Sequence, residues 1–161
     1  MLIIVCGLPG SGKSTLAKLI SKHYSAVYLS SDIIRKEIFL KPKYSDDEKE
    51  KVYSEMAGQT EQILLEGNKV VVDATFYKAE QRGTFLTIAK DLDKKTFIIF
   101  CSLDENEVKK RIEKRKKGPS DATFEVYLKL KKEFEPITQK YLEVNVWNKR
   151  DLLKKIVEFV G

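Results

Sequence analysis

One short stretch near the amino terminus places the strongest constraint on this chain. Residues 7–15 read GLPGSGKST and follow directly on the apolar run Leu2–Cys6. They match the pattern G-x-x-x-x-G-K-[ST], whose fixed positions are held by Gly7, Gly12, Lys13 and Ser14. Glycines there let the backbone adopt positive φ and approach an anion without a Cβ in the way. Successive N–H groups then point at a phosphate from a helix N-terminus, where the helix dipole favours negative charge. The stretch, called the phosphate loop below, predicts a cradle for a polyphosphate.

The side chains of the phosphate loop predict how it would hold a nucleoside triphosphate. We expect contacts with ATP from Gly10, Ser11, Gly12, Lys13, Ser14 and Thr15. Lys13 can bridge the β- and γ-phosphates, which makes it a candidate catalytic residue, and the hydroxyl of Ser14 can ligate Mg²⁺. The alternative is a flexible Gly/Ser turn, which the β-branched run before it and the helical pattern after it disfavour. ATP and Mg²⁺ are therefore the predicted cofactors.

Beyond the loop, short apolar runs alternate with amphipathic segments. This alternation predicts βαβ units and an α/β fold, a five-stranded parallel sheet sandwiched by helices. The predicted strands are residues 2–6, 26–30, 69–74, 96–101 and 143–147. Ser45 and Glu48 have capping-box spacing at the start of a long helix. With 161 residues and no linker-like segment, we expect a single domain over residues 1–161.

Composition limits the compartment and the partners. No apolar run approaches the roughly 20 residues that span a bilayer, and the N-terminus lacks a basic leader. We therefore expect a cytoplasmic protein with no membrane partner. Cys6 and Cys101 lie in apolar runs, as small buried hydrophobes do, and the lone His23 disfavours histidine-based catalysis. The net charge of +6 suits a polyanionic ligand such as ATP and permits nucleic acid.

Two acids lie at the carboxyl ends of predicted strands, at the edge of the sheet where parallel folds bind their ligands. Asp73 follows Val70–Val72 and could hold Mg²⁺, with a helix cap or turn carboxylate as the alternative. Asp32 could accept the proton of an attacking hydroxyl group. Arg35, one helical turn later, could grip an anionic group on the acceptor. The spacing leaves open an N-cap aspartate with an i,i+3 salt bridge.

A dense basic run forms the third constellation, made of Lys109, Lys110, Arg111, Lys114, Arg115, Lys116 and Lys117. Arg111 and Arg115 are four residues apart and share one helix face. We expect a helical lid over about residues 104–135 that closes on the triphosphate, with both arginines as catalytic, ATP-binding side chains. A solvated charged face and a nucleic-acid patch are the alternatives. The Gly118-Pro119 break favours the lid because it provides a hinge.

Taken together, these motifs resemble the P-loop kinases related to polynucleotide 5′-hydroxyl kinase, a broad group that includes gluconate kinase and the zeta toxins. The motifs are the phosphate loop, Asp32-x-x-Arg35, Val-Val-Val-Asp73, Arg111-x-x-x-Arg115 and Ser120-Asp121-Ala122. The resemblance implies that Asp32 is the general base and that Arg35 binds the acceptor's phosphate. It also implies that Arg111 and Arg115 contact ATP. The phosphatase domain of the bifunctional members has no counterpart in this sequence.

The sequence thus favours an ATP- and Mg²⁺-dependent kinase that phosphorylates a hydroxyl group. We expect a polynucleotide or nucleotide 5′-hydroxyl as the acceptor, so an RNA or DNA 5′ end is a candidate partner. A kinase for a sugar acid, an antibiotic or another small metabolite is the alternative among enzymes. A nucleotide-dependent switch or assembly NTPase is the alternative from another class. Asp32 favours a kinase, because a switch has less need of a base that takes an acceptor's proton.

Overall fold

Within residues 1–114, 122–147 and 151–161, which the computed structural model describes, five β-strands form one sheet. They are β1 (Leu2–Cys6), β2 (Val27–Ser30), β3 (Val70–Asp73), β4 (Thr96–Cys101) and β5 (Tyr141–Val144). The strands are ordered β2-β3-β1-β4-β5, and every neighbouring pair is parallel. Parallel neighbours need crossover connections, and helices supply them here. The predicted fold class is confirmed.

Seven α-helices lie in the same described ranges and cover the sheet. They are α1 (Lys13–Tyr24), α2 (Ser31–Ile38), α3 (Asp46–Leu65), α4 (Ala79–Asp91), α5 (Glu105–Lys114), α6 (Phe124–Glu133) and α7 (Leu152–Val160). None of them is both long and apolar enough to cross a lipid bilayer. Helix α6 begins at Phe124, because the Thr123 side chain caps it by accepting a hydrogen bond from Val126 N.

Strand β1 lies at the centre of the sheet and is buried along its whole length. Alternate side chains point to opposite faces, so Leu2 and Ile4 enter one apolar cluster and Ile3 and Val5 enter another. The first cluster contains residues of α3 and α4, and the second contains residues of α1 and α7. Both faces of the sheet are therefore covered by helices, which explains why the strands read as continuous apolar runs.

The last strand differs from the prediction. Residues 143–147 were expected in β5, whereas the strand spans Tyr141–Val144, where it pairs with β4 from Ile98↔Tyr141 to Cys101↔Val144. Asn145 ends it, because its side-chain oxygen accepts a hydrogen bond from Trp147 N in an Asx turn. Val146 is buried, as Val144 is, so the alternation of apolar residues continues beyond the end of the strand. This alternation led to the longer prediction.

The segment that follows α6 is anchored to α4 by a buried cation. The Arg82 guanidinium donates hydrogen bonds to the carbonyl oxygens of Phe76 (2.6 Å), Glu135 (3.0 Å) and Pro136 (2.8 Å). In return, Glu135 Oε2 accepts from Ala79 N at 2.6 Å. The N-terminal part of α5 is tied to α6 by an ion pair between Glu105 and Lys131 at 2.6 Å. These contacts join the residues that follow α6 to α4, and they join α6 itself to α5.

Candidate active site

The strand register brings the predicted site residues to one edge of the sheet. Val5 pairs with Asp73, and Asp73 pairs in turn with Ser30. The phosphate loop starts directly after β1, and Asp32 lies two residues after β2. Three neighbouring strands therefore end at the same level, which places the loop, Asp73 and Asp32 side by side. This is the edge at which open parallel sheets bind their ligands.

Close packing explains two glycines of the phosphate loop. Gly7 has φ +143°, and a Cβ there would lie 2.5 Å from the backbone oxygen of Cys101 on β4. Gly12 has φ +93° and precedes α1, and a Cβ there would lie 3.1 Å from the Val146 side chain. Side chains rarely tolerate either the positive φ or such contacts. The loop therefore passes close to β4 and to the turn after β5, with its amides at the N-terminus of α1.

The polar side chains of the phosphate loop have distinct environments. Lys13 Nζ donates a hydrogen bond to the Leu8 carbonyl oxygen at 3.0 Å, across the loop. The Ser11 hydroxyl is buried and has no hydrogen-bond partner among the described residues. Ser14 is half-buried and Thr15 is exposed. A lysine whose Nζ lies across the phosphate loop is suited to neutralise a bound polyphosphate.

Ser14 and Asp73 meet at Tyr28, a residue that the sequence analysis missed. Tyr28 Oη donates a 2.7 Å hydrogen bond to Asp73 Oδ2. Burial, followed by the charge of Asp73, raises the pKa of Tyr28 above its ordinary value, while the nearby Ser30 and Ser14 side chains act in the opposite direction. The phenol thus stays protonated as a donor. The Asp73 carboxylate and the Ser14 hydroxyl, both next to Tyr28, are hard oxygen ligands of the kind that Mg²⁺ prefers. These two residues therefore fit the predicted metal.

A cavity of about 260 Å³ opens beside this pair and is called the acceptor cavity below. Lys13 and Asp73 lie on its phosphate-loop side, and Asp32 and Arg35 line it from α2. The other lining residues are Pro9, Ser31, Tyr44, Lys49, Tyr53, Ala74, Thr75, Tyr77, Ala122, Val126, Lys129 and Leu130. The helical turn between Asp32 and Arg35 therefore brings both side chains to one space, next to the residues expected to hold the phosphates.

Arg35 is the most buried cation of the acceptor cavity, with 6% of its surface exposed. Its Nη1 lies 3.6 Å from Glu48 Oε2, and the Tyr44 ring centroid lies 4.8 Å from its Cζ. The Nε and Nη1 atoms have no hydrogen-bond partner among the described residues. Buried donors of this kind favour an oxyanion as their partner.

On the other side of the phosphate loop, Arg111 stacks on an aromatic ring. Its Cζ lies 3.4 Å from the centroid of the Trp147 ring, the geometry of a close cation–π contact. Helix α5 is brought there by Val108 and Ile112, whose side chains lie 3.0 and 3.2 Å from the Cβ position of Gly10. Arg111 thus lies beside the loop, as a lid arginine would. Arg115 and the Ser120-Asp121 pair lie outside the described residues.

Comparison with known proteins gives a consistent result. The family described as "AAA domain" matches residues 2–137. The L-seryl-tRNA(Sec) kinase of Methanococcus maripaludis is 30% identical over 135 residues, which cover 80% of this chain and 52% of that protein. The adenylate kinase of Encephalitozoon cuniculi is 32% identical over 151 residues, covering 86% of this chain and 82% of that protein. This chain therefore spans about half of the length of the tRNA kinase and most of the adenylate kinase.

Solved structures share the fold at lower identity. Kti12 of Chaetomium thermophilum, in complex with ADP-AlF3, superposes with a TM-score of 0.78 at 16% identity and covers 100% of both chains. A chain of the Pnkp1/Rnl/Hen1 RNA repair complex superposes with a TM-score of 0.69 at 22% identity, over 84% of this chain and 47% of that chain. At these identities the likeness establishes the fold, and it agrees with the predicted resemblance to P-loop kinases.

Proposed function

We propose that this chain, which belongs to the AAA-domain family of P-loop kinases, is an ATP-dependent phosphotransferase whose acceptor is a hydroxyl group on a nucleotide or polynucleotide. The first candidate is a 5′-hydroxyl. The observation that carries this proposal is the shared lining of the acceptor cavity. One space contains a candidate base, a buried cation and the phosphate-loop lysine, namely Asp32, Arg35 and Lys13.

The geometry supports an in-line transfer between the phosphate loop and the acceptor cavity. The carboxylate of Asp32 accepts the proton of the acceptor hydroxyl, and the oxygen forms a bond to the γ-phosphorus. The bond from that phosphorus to the β,γ-bridging oxygen breaks, and ADP leaves with the electron pair. Lys13 and the amides of the phosphate loop stabilise the charge that develops on the phosphates. Ser14 and Asp73 would hold Mg²⁺, which would supply further charge neutralisation.

We assign residues 104–135 to the lid within a single kinase domain, residues 1–161. The contact of α5 with Gly10 and the stack of Arg111 on Trp147 support this assignment, because both place α5 beside the phosphate loop. In this role Arg111 and Arg115 would contact ATP during transfer, with Arg111 close to the nucleotide base or phosphates. Trp147 would hold the Arg111 guanidinium in place, since stacking on indole is among the strongest cation–π contacts.

The relatives support two acceptor classes. The name of the L-seryl-tRNA(Sec) kinase describes an acceptor that is part of an RNA, and the Pnkp1 complex is named for RNA repair. These names favour a hydroxyl on a polynucleotide. The adenylate kinase, which matches along most of its length, favours a mononucleotide instead. The buried Arg35 suits both classes, because each carries phosphate close to the reactive group.

A panel of acceptors tests the proposal. The chain is incubated with Mg²⁺ and γ-labelled ATP together with 5′-hydroxyl oligonucleotides, nucleoside 3′-monophosphates, nucleoside 5′-monophosphates, nucleosides and sugar acids. We expect label on the 5′-oxygen of the first two groups, located by mass spectrometry of the products. Label only on the phosphate group of nucleoside 5′-monophosphates would contradict a hydroxyl acceptor, and label only on sugar acids would reassign the acceptor to a small metabolite. Label released solely as inorganic phosphate would contradict phosphotransfer to a hydroxyl acceptor and favour a nucleotide-dependent switch.

A further inference from the structure

The glutamate predicted to complete a capping box has a different role. Ser45 caps α3 as expected, because its hydroxyl accepts a hydrogen bond from Glu48 N at 3.3 Å. The Glu48 carboxylate instead accepts from Lys43 N at 3.0 and 2.9 Å and from Tyr44 N at 2.7 Å. The residue is 8% exposed. A buried carboxylate therefore ties the loop between α2 and α3 to the first turn of α3.

The Glu48 carboxylate forms an ion pair with Arg35 but accepts no hydrogen bond from its Nε or Nη1 atoms. Glu48 Oε2 lies 3.6 Å from Arg35 Nη1, which is an ion pair but exceeds the usual length of an N–H···O hydrogen bond. The oxygens of Glu48 are engaged by the two loop amides. Arg35 Nε and Nη1 consequently keep their hydrogen-bonding capacity although they are buried. Burying charged hydrogen-bond donors without an acceptor costs free energy, and a bound anion that accepts from them removes that cost.

Tyr44 closes the other side of the guanidinium. Its ring centroid lies 4.8 Å from Arg35 Cζ, and the side chain lines the acceptor cavity. Its φ of +58° is in the left-handed region, which is uncommon for residues other than glycine. Such strained conformations cluster at ligand-binding sites, where the surrounding structure enforces them. Here the 2.7 Å hydrogen bond from Tyr44 N to Glu48 provides the restraint.

We infer that Glu48 and Tyr44 are positioning residues that prebuild Arg35 into a receptor for one oxyanion group of the acceptor. The inference rests on the proposed function, because it places the acceptor in this cavity. Binding of the acceptor's phosphate by Arg35 is what the family resemblance implies, and the contacts above add Glu48 and Tyr44 as the residues that hold Arg35 in place. A receptor ordered before binding loses less conformational freedom when the ligand arrives, so its selectivity for anions is higher.

Calorimetric binding of a charged and an uncharged probe tests the receptor. The probes are adenosine 3′-monophosphate and adenosine, titrated into the chain with its phosphate loop saturated by Mg²⁺ and a non-hydrolysable ATP analogue. We expect the wild type to bind the charged probe at least about tenfold more tightly than adenosine, as one charged hydrogen-bonded contact would give. In Glu48→Gln and Tyr44→Gly this preference falls to about twofold or less. The Kd of the ATP analogue stays within about twofold of wild type in both variants.

Two controls separate positioning from folding. Glu50→Gln removes an exposed carboxylate from the same helix and keeps the full preference. Glycine adopts φ +58° without strain, which offsets part of the packing lost with the Tyr44 ring, so Tyr44→Gly is expected to fold even if Glu48→Gln proves unstable. The Tm of each variant is measured, and only folded variants are compared. The inference is overturned if the wild type shows no preference for the charged probe. It is equally overturned if folded variants retain the preference, or lose affinity for the ATP analogue to the same extent.

The outcome is distinguishable from failure of the proposed function. Transfer of label from ATP to the same two probes is measured in parallel. If charged-probe binding depends on Glu48 and Tyr44 but no label is transferred, the anion receptor stands and the 5′-hydroxyl acceptor is wrong. If label is transferred while the binding preference ignores both substitutions, the kinase assignment stands and the receptor is wrong.

Discussion

The hydrogen bond between Tyr28 and Asp73 gives a prediction whose size follows from the structure. Tyr28→Phe removes the donor that lies 2.7 Å from Asp73 Oδ2 and leaves the ring in place. Asp73 is only 3% exposed, so water has little access to replace the lost donor. A hydrogen bond to a charged group contributes about 1.5–3 kcal/mol to stability. For a chain of this size, each kcal/mol shifts the Tm by about 2–4 °C, which predicts a decrease of about 3–12 °C.

The same substitution affects the predicted magnesium site. Groups that orient a ligating carboxylate change metal affinity by about 10- to 100-fold when they are removed. We therefore expect the Mg²⁺ concentration that half-saturates phosphotransfer to rise about tenfold in Tyr28→Phe. Metal binding itself is measured by calorimetric titration of Mg²⁺ in the presence of a non-hydrolysable ATP analogue. This second measurement keeps the test independent of catalytic rate.

Tyr24→Phe is the matched control for Tyr28→Phe. The Tyr24 hydroxyl is buried, but it has no hydrogen-bond partner among the described residues. Its removal therefore leaves no unpaired acceptor behind and should not lower the Tm. The reasoning is refuted if Tyr28→Phe melts within about 1 °C of Tyr24→Phe and binds Mg²⁺ with wild-type affinity. That result would mean that Asp73 does not depend on the phenol.

Three further predictions concern catalysis, folding and the thiols. Lys13→Ala should abolish phosphotransfer with an unchanged circular dichroism spectrum, and retained turnover would contradict the phosphate-loop assignment. Arg82→Met leaves three carbonyl oxygens without their donor and should cost at least about 2 kcal/mol in urea unfolding; wild-type stability would contradict the anchor. Burial raises the pKa of Cys6 and of Cys101 from 9.0 to about 12, so neither thiol should react with a disulfide reagent at pH 8 until the chain unfolds. Because the folded-state pKa is the higher one, the stability due to these thiols is complete below pH 9 and declines as the pH rises towards 12.

Most of the fold could be predicted because local patterns and tertiary structure agree. Leu2–Cys6 is a continuous apolar run, and it forms β1 at the centre of a sheet covered on both faces. Ser45 marks the start of α3, and its side chain caps that helix. The predicted end of β5 was wrong because the alternating apolar pattern continues beyond the last residue that pairs with β4. Val146 keeps the alternation of Val144, but it packs against Gly12 from a turn rather than from a strand.

The site could be predicted only as far as the spacing of neighbouring residues reaches. Asp32 and Arg35 are close in sequence, so helical geometry placed them in one cavity. The partner of Asp73 is 45 residues away on β2, and a tyrosine in an apolar strand gives no signal of its hydrogen bond. Glu48 has the spacing of a capping box, but its carboxylate accepts hydrogen bonds from two amides of the preceding loop, Lys43 N and Tyr44 N, instead of from the N-cap amide. Such choices depend on tertiary packing, which spacing does not encode.

The most direct test of the account is the single-turnover rate of phosphotransfer in Asp32→Asn, measured by rapid quench with saturating ATP, Mg²⁺ and the acceptor that the panel identifies. The substitution keeps the size of the side chain and removes its ability to take a proton. We predict a rate about two to four decades below wild type, with the ATP Kd and the Tm unchanged. A rate close to that of wild type, or an equal loss of ATP affinity, would contradict the role of Asp32 as the base.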